Sequence, residues 1–483
     1  MNPIWVPTAE RVANATVTDL IAHFNSKLGR SIHDYAGLHK FSVHEPEEFW
    51  DGIWEHARLA GTRKGPTLVR RTEMPGARFY PESLINFAEN CLAHDAPDNE
   101  VAIISYTETG DRSQLTWKEL RQRVANFRHM LIKLGVQSED VVAGFVSNGS
   151  EAIVASLATL SLGAIWTSCS PDFGVQGVLD RFGQTNPRVL VAAHSTRYNK
   201  KAIDLTDRVN GLLSQLPSIT ASIVFPGACP GSVSGLIRRP GCCIVNFDTA
   251  ISGNHPLEFA ATPFNHPGFI LYSSGTTGVP KCIVHSQGGA LIQLIKEHRY
   301  HIDIKAFERV FYYTTCGWMM WNWLLACLAS QAAVVTYDGS PFVRGAKTLW
   351  TLCDQDDWHV FGTSAKYLAA IDKYSYQPRK KHQLTSLKAI LSTGSPLAHE
   401  SFDYVYLHIK EDVLLGSISG GTDIVSCFCL SCPTIPVYRG ELQCAGLGLA
   451  VDVVDESGQS VIDEKGELVC RQPFPVMPDR FFG

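Results

Sequence analysis

The sequence predicts an α/β protein whose largely parallel sheet is covered by helices on both faces. Three observations predict it. Apolar, β-branched runs at Val101–Tyr106, Val141–Val146 and Arg188–Ala193 alternate with helical patterns, and such runs suit strands buried on both sides. Between the first two, Thr116-Trp-Lys-Glu119 has the spacing of a capping box. The helix it opens would carry Leu120, Val124, Phe127, Leu131 and Leu134 on one face and end at Gly135. Third, Gly268-Phe-Ile-Leu-Tyr272 and Lys281-Cys-Ile-Val-His285 read as strands flanking a loop of small and hydroxylated residues.

With 483 residues, 45% of them hydrophobic, the chain can bury a large core and form more than one lobe. A net charge of −5 leaves no electrostatic footprint for nucleic acid, and no basic run marks an anionic membrane surface. Fourteen cysteines without framework spacing read as reduced thiols, and no signal peptide or lipidation motif is evident. These features predict a cytoplasmic (cytosolic) protein. Val310 to Tyr337 contains no charged residue, a length sufficient to cross a bilayer. Its ends are β-rich and polar residues punctuate it, so strand, buried helix, strand is the expectation.

In chain order, the first 95 residues are aromatic-rich and irregular, with Trp5, Trp50, Trp54 and Tyr80 among short helical patterns. The α/β rhythm follows, with a further helix near Glu151–Leu162. Pro226 to Pro267, rich in Gly, Pro and Ser, reads as a long connection leading to the Ser/Thr/Gly loop. Beyond residue 435, Gly440–Val454 and Gly466–Cys470 are β-rich.

The loop itself holds Ser273, Ser274, Gly275, Thr276, Thr277 and Gly278, then Lys281. Many hydroxyl donors, little bulk and one mobile cation suit it to wrapping a polyphosphate. It is not a Walker A loop, because Val279 and Pro280 separate the last glycine from the lysine and a strand follows. Three more segments offer chemistry. Thr314-Thr-Cys-Gly-Trp-Met-Met-Trp-Asn322 ends a strand, Leu391-Ser-Thr-Gly-Ser-Pro396 ends another in a tight turn, and Ser417-Ile-Ser-Gly-Gly-Thr-Asp423 closes on a hydroxyl and a carboxylate. Cys427-Phe-Cys-Leu-Ser-Cys432 lacks a second pair at zinc spacing, and the 17 histidines form no visible triad.

In this order, these segments resemble the adenylate-forming superfamily, which includes acyl-CoA synthetases, luciferases and peptide-synthetase adenylation domains. The resemblance implies the large N-terminal domain of such an enzyme: two doubly wound sheet subdomains plus a small β-subdomain. The implied divisions are an N-terminal cap over 1–95, an AMP-binding core over 96–435 and the small β-subdomain over 436–483. It further implies that Ser273–Gly278 and Lys281 grip the pyrophosphate of ATP, and that Gly394, Ser395 and Pro396 meet adenine. Thr422 would contact the α-phosphate, and Asp423, with Thr276, would help hold Mg²⁺. An aspartate is one methylene shorter than the family's glutamate, so part of that hold would run through water; as a residue type Asp423 also suits a helix N-cap. Trp318 would wall the coenzyme A thiol tunnel, while Met319 and Met320 would line the acyl pocket, although core packing explains each of these side chains too.

Where acetate-activating relatives carry tryptophan two residues before the threonine, this chain has Gly420, followed by Gly421. The resemblance therefore implies room for a larger acid. Together with Gly317–Trp323, Ser170–Arg181 and Tyr337–Pro341, it points to the branch that activates acetoacetate. Ligases for other short or medium acids share the fold. Lys200 and Lys201 occupy the region where relatives meet coenzyme A phosphates, and a solvated face explains them as well. The family's ribose-binding aspartate, hinge and C-terminal domain with its adenylation lysine do not occur within these 483 residues. Weak nucleotide binding and poor adenylation are accordingly expected of this stretch alone, and a nucleotide-binding form with little activity is the other reading.

Overall fold

A computed structural model describes residues 2–229, 233–273 and 278–482. Two large sheets form its centre. The first has eight strands in the order Cys243–Asn246, Ala221–Phe225, Val189–Ala193, Val141–Phe145, Ile165–Cys169, Pro267–Ser273, Lys281–Ser286 and Arg480–Phe481. It is parallel from its first strand to Pro267–Ser273, and its last two strands run antiparallel to their neighbours. The second has seven strands in the order Leu414–Ser417, Ala389–Thr393, Val360–Ser364, Arg309–Tyr312, Ala333–Asp338, Val101–Thr107 and Arg112–Thr116. Only its last pair is antiparallel. Central strands such as Val141–Phe145 and Val189–Ala193 are buried at every position, as continuous apolar runs require.

The helix Trp117–Lys133 starts at the expected capping box, with Thr116 and Glu119 bonding reciprocally, and Gly135 follows it at φ 81°. The charge-free stretch resolves into the strand Arg309–Tyr312, the buried helix Met319–Ala326 and the strand Ala333–Asp338, as its sequence predicts. Among the described residues no helix is long and apolar enough to cross a membrane. One expectation needs amendment: the 226–267 connection is not featureless. Within it, Cys243-Ile-Val-Asn246 adds an edge strand parallel to Ala221–Phe225, and Phe247–Ala250 forms a short helix. The surrounding glycines and prolines mask a strand of only four residues.

Of four N-terminal helices, from Ala9–Asn14 to Pro46–His56, the last two, Tyr35–His44 and Pro46–His56, meet the segment around residues 444–449. Tyr35 donates its hydroxyl to the Ala445 carbonyl, and Ser42 Oγ accepts from Gly448 N at 2.8 Å. Trp5 meets Val437 through backbone bonds. The first and last parts of the chain thus share one apolar core.

Candidate active site

The hydroxylated loop joins the antiparallel strands Pro267–Ser273 and Lys281–Ser286, and Ser273 lies directly opposite Lys281. Ser274, Gly275, Thr276 and Thr277 lie outside the described residues. On the returning limb, Gly278 has φ 103°, a conformation that only glycine adopts without strain. The helix Val175–Thr185 braces this limb, because Gln184 Nε2 donates to the Pro280 carbonyl at 2.9 Å. Lys281 is exposed, and its ammonium sits 5.8 Å from the centre of the Phe481 ring.

Thr422 and Asp423 form the turn of an antiparallel hairpin between Ser419–Gly421 and Ser426–Leu430. Thr422 is half-buried and Asp423 exposed. The turn meets the loop strand directly: His285, four residues past Lys281, places Nε2 2.8 Å from the Thr422 carbonyl oxygen. A carbonyl only accepts, so Nε2 carries the proton. Burial pushes the His285 imidazole down to about 4, which keeps it neutral near pH 7. The far limb of the hairpin is held from the core. Glu297 accepts bonds from the Ser426 hydroxyl, from Cys427 N at 3.1 Å and from Trp323 Nε1 at 3.0 Å, while Gln293 donates to Ser426 Oγ.

The second sheet contributes its strand ends. Gly394 follows Ala389–Thr393 at φ 88°, and with Ser395 and Pro396 it makes an exposed turn. Past Arg309–Tyr312, Trp318 is 61% exposed immediately before the helix Met319–Ala326. A face left this open is free to wall a ligand channel. Met319 and Met320 are buried in the core. Gly317 abuts Phe173, whose Cε2 would lie 3.3 Å from a Cβ at that position, so the Ser170–Arg181 and Gly317–Trp323 segments meet.

Gly420 requires a correction. A Cβ there would lie 2.1 Å from the Ser426 carbonyl oxygen and 2.4 Å from Cys427 Cα. The missing side chain therefore admits the neighbouring strand and does not open space for a longer acid. Among the described residues Gly421 has no atom within 4 Å of its Cβ position and is the glycine of the pair that faces open space.

Two groups escaped the sequence reading. Arg181 lies over the rings of Phe173 at 4.4 Å and Tyr272 at 5.8 Å, beside the outgoing limb of the loop. Glu108 is buried and accepts from Asn199 N, Lys200 N and Ser340 N, clasping the Ser195–Asp204 hairpin against the Tyr337–Pro341 turn. Spacing carries no signal for either; a cation flanked by aromatics and a lone acid at a strand end are frequent patterns. Lys200 and Lys201 are exposed on that hairpin. A separate cavity of about 340 Å³, lined by residues including Arg70, Arg78, Asn265 and Phe474, contains none of the candidate residues.

For a divalent cation, the hairpin offers the exposed Asp423 carboxylate, and the described residues hold no cluster of three or more His, Cys, Asp or Glu side chains able to bind a metal. One carboxylate suits Mg²⁺, which keeps several waters and takes phosphate oxygens for the remainder.

The chain matches the family described as AMP-binding enzyme over residues 91–478. It is similar to the acetoacetyl-coenzyme A synthetase of Rhizobium meliloti (strain 1021), at 46% identity over 99% of this chain and 73% of that protein. The acetoacetyl-CoA synthetase of Danio rerio is 41% identical over 99% of this chain and 72% of its own length. Among solved structures, acetoacetyl-CoA synthetase from Streptomyces lividans superposes with a TM-score of 0.94 at 38% identity, covering all of this chain and 74% of that one.

Proposed function

Because the chain belongs to the AMP-binding enzyme family, we propose that it takes part in the ATP-dependent ligation of acetoacetate to coenzyme A through an acyl-adenylate. In the first half-reaction a carboxylate oxygen of acetoacetate attacks the α-phosphorus, and the bond to pyrophosphate breaks. In the second, the coenzyme A sulfur attacks the acyl carbon, AMP leaves with the bonding pair, and the thiol proton passes to solvent. The carboxylate is already a nucleophile, so the first step requires positioning and charge neutralisation.

The candidate residues divide that work. Ser273, Gly278, Lys281 and the intervening residues take the pyrophosphate, with Lys281 offsetting its charge. Thr422 orients the α-phosphate. Asp423 would help hold Mg²⁺, which would supply positive charge against the phosphates. Gly394, Ser395 and Pro396 receive the adenine at the end of their strand. Trp318 flanks the thiol approach, and the acid lies near Gly421. The domain division at residues 95 and 435 belongs to the same reading.

The observation that carries this proposal is the contact between two motifs 137 residues apart, where the strand bearing Lys281 reaches the carbonyl of Thr422. A polyphosphate grip and an α-phosphate contact act on one ligand, and this contact between their two segments supports the reading. The test is calorimetric binding of hydrolysis-resistant acyl-sulfamoyl adenosines. The acetoacetyl analogue is expected to bind tighter than the acetyl and butyryl analogues. Equal binding of the acetyl analogue overturns the acetoacetate assignment, and no binding of any overturns the ligase reading.

A further inference from the structure

We propose that His285 is a positioning residue for adenylation: its Nε2–H holds the Thr422 carbonyl and sets the Thr422–Asp423 turn at a fixed place relative to Lys281. The inference rests on the reading of Thr422 as the α-phosphate contact. Lys281, Ile283 and His285 share one face of their strand, because side chains alternate along it. Four residues of extended chain span roughly 13 Å. One rigid strand therefore carries the pyrophosphate cation at one end and the tether of the α-phosphate residue at the other.

The bond is specific to this purpose on three counts. First, Nδ1 of His285 is buried with no partner among the described residues, where the ring makes one hydrogen bond, to Thr422. A histidine retained only for packing would more cheaply be an apolar residue, since its second nitrogen is desolvated without return. Second, the turn is conformationally strained. Val425, two residues beyond Asp423, has φ 43°, which is disfavoured for a β-branched side chain. Strained turns persist where the surroundings over-determine them. Third, the remaining side-chain anchors, Glu297 and Gln293, grip Ser426 and Cys427 beyond the turn and leave Thr422 itself to His285.

The test compares AMP with adenosine, which lacks the α-phosphate. Calorimetric binding of each is measured on the unaltered protein, on His285→Leu and on His285→Gln, whose amide N–H can donate to the same carbonyl. His285→Leu is expected to weaken AMP about fivefold to tenfold and leave adenosine unchanged, and His285→Gln to restore most of the loss. Should His285→Leu fail to fold, His285→Asn replaces it, since its amide is too short to reach Thr422 and the same selective loss is expected. Equal weakening of AMP and adenosine assigns the bond to folding alone and overturns the proposal. Full retention of AMP binding by His285→Leu or His285→Asn overturns the tether while leaving Thr422 its role. An unaltered protein that binds AMP no better than adenosine removes the α-phosphate reading, and the tether falls with it.

Discussion

The seven-stranded sheet presents its candidate residues where strands of a parallel array end. Gly394 follows Ala389–Thr393, the Trp318 segment follows Arg309–Tyr312, and the Thr422 hairpin follows Leu414–Ser417. Backbone ladders on both sides fix most of these ends, so the crevice comes with the topology. The eight-stranded sheet presents its candidates from the loop of an antiparallel pair instead. Its ladder holds the limbs, and side chains must do the rest: Gln184 reaches Pro280, and His285 reaches Thr422. A site half made by topology and half by buried polar anchors should respond to acid and to mutation mainly through the second half.

Acid should separate the two regions most. His285 belongs to the loop strand, and His298 and His301 to the turn Glu297–His301 after the following helix. Burial pushes His285 down to about 4, His298 down to about 3, and His301 well below its ordinary value. Unfolded, all three take a proton near pH 6.5. As pH falls through 6.5 the unfolded chain binds protons that the folded one refuses, so this stability is complete above 6.5 and is lost towards 4. Asp338, the last residue of an interior strand of the seven-stranded sheet, behaves oppositely: burial raises it to about 7, so the folded carboxyl holds a proton that the unfolded one has released. Its contribution grows on acidification. Each tenfold difference in proton affinity is worth about 1.4 kcal/mol, and three imidazoles outweigh one carboxyl. Urea unfolding at pH 7.5 and pH 5 should show a net loss on the order of several kcal/mol. Asp338→Asn should raise stability at pH 7.5 and steepen the loss at pH 5. A flat profile would mean that these histidines are not anchors of the first region.

The next effect tests whether the Thr422 hairpin is held by its sheet or by its anchor. Glu297 is fully buried, accepts three hydrogen bonds and lies 3.9 Å from the equally buried Lys296 ammonium, which has no hydrogen-bond partner among the described residues. Burial raises the carboxyl and lowers the ammonium, each against the pull of the other. Glu297→Leu strands three donors and a buried cation, and breaking such a pair costs about 3–5 kcal/mol. Denaturant unfolding measures it. A loss under about 1 kcal/mol, the scale of a single hydrogen bond, would place the hairpin's support in the backbone ladder after all.

The regions also differ in how far the sequence reveals them. The parallel strands, the capping box at Thr116 and the buried span between Arg309 and Asp338 were legible because burial on both faces writes continuous apolar runs. The Gly394 turn and the turn at Thr422–Asp423 were legible as breaks after strands, since glycine in a tight turn has narrow uses. The anchors were not. Glu297, Gln184, His285 and Glu108 look like ordinary helix, strand or turn residues in sequence, and their partners are distant: 137 residues for His285 and 232 between Glu108 and Ser340. Gly420 was misleading for the same reason, because its neighbour is the backbone of Ser426 and no pattern in sequence announces a close approach.

Gly420 and Gly421 give the smallest and sharpest contrast, since adjacent residues of one strand face different surroundings. A methyl group at Gly420 meets the Ser426 carbonyl oxygen at 2.1 Å and Cys427 Cα at 2.4 Å, and both belong to the backbone of the paired strand. No rotamer relieves that overlap, so the hairpin must open, and Gly420→Ala should cost about 1–3 kcal/mol, the range for overpacking. A methyl group at Gly421 meets nothing within 4 Å among the described residues, and its φ is not in the left-handed region. Gly421→Ala should therefore change stability by no more than about 0.5 kcal/mol. Thermal unfolding of the two variants side by side decides it: equal losses would place the constraint in the flexibility of the glycine pair, whereas loss at Gly420 alone locates it in the approach of the two strands. If Gly421→Ala keeps its stability but weakens the acetoacetyl analogue more than the acetyl one, the acid lies against Gly421, and the acyl pocket is shaped from the hairpin that Glu297 and His285 hold.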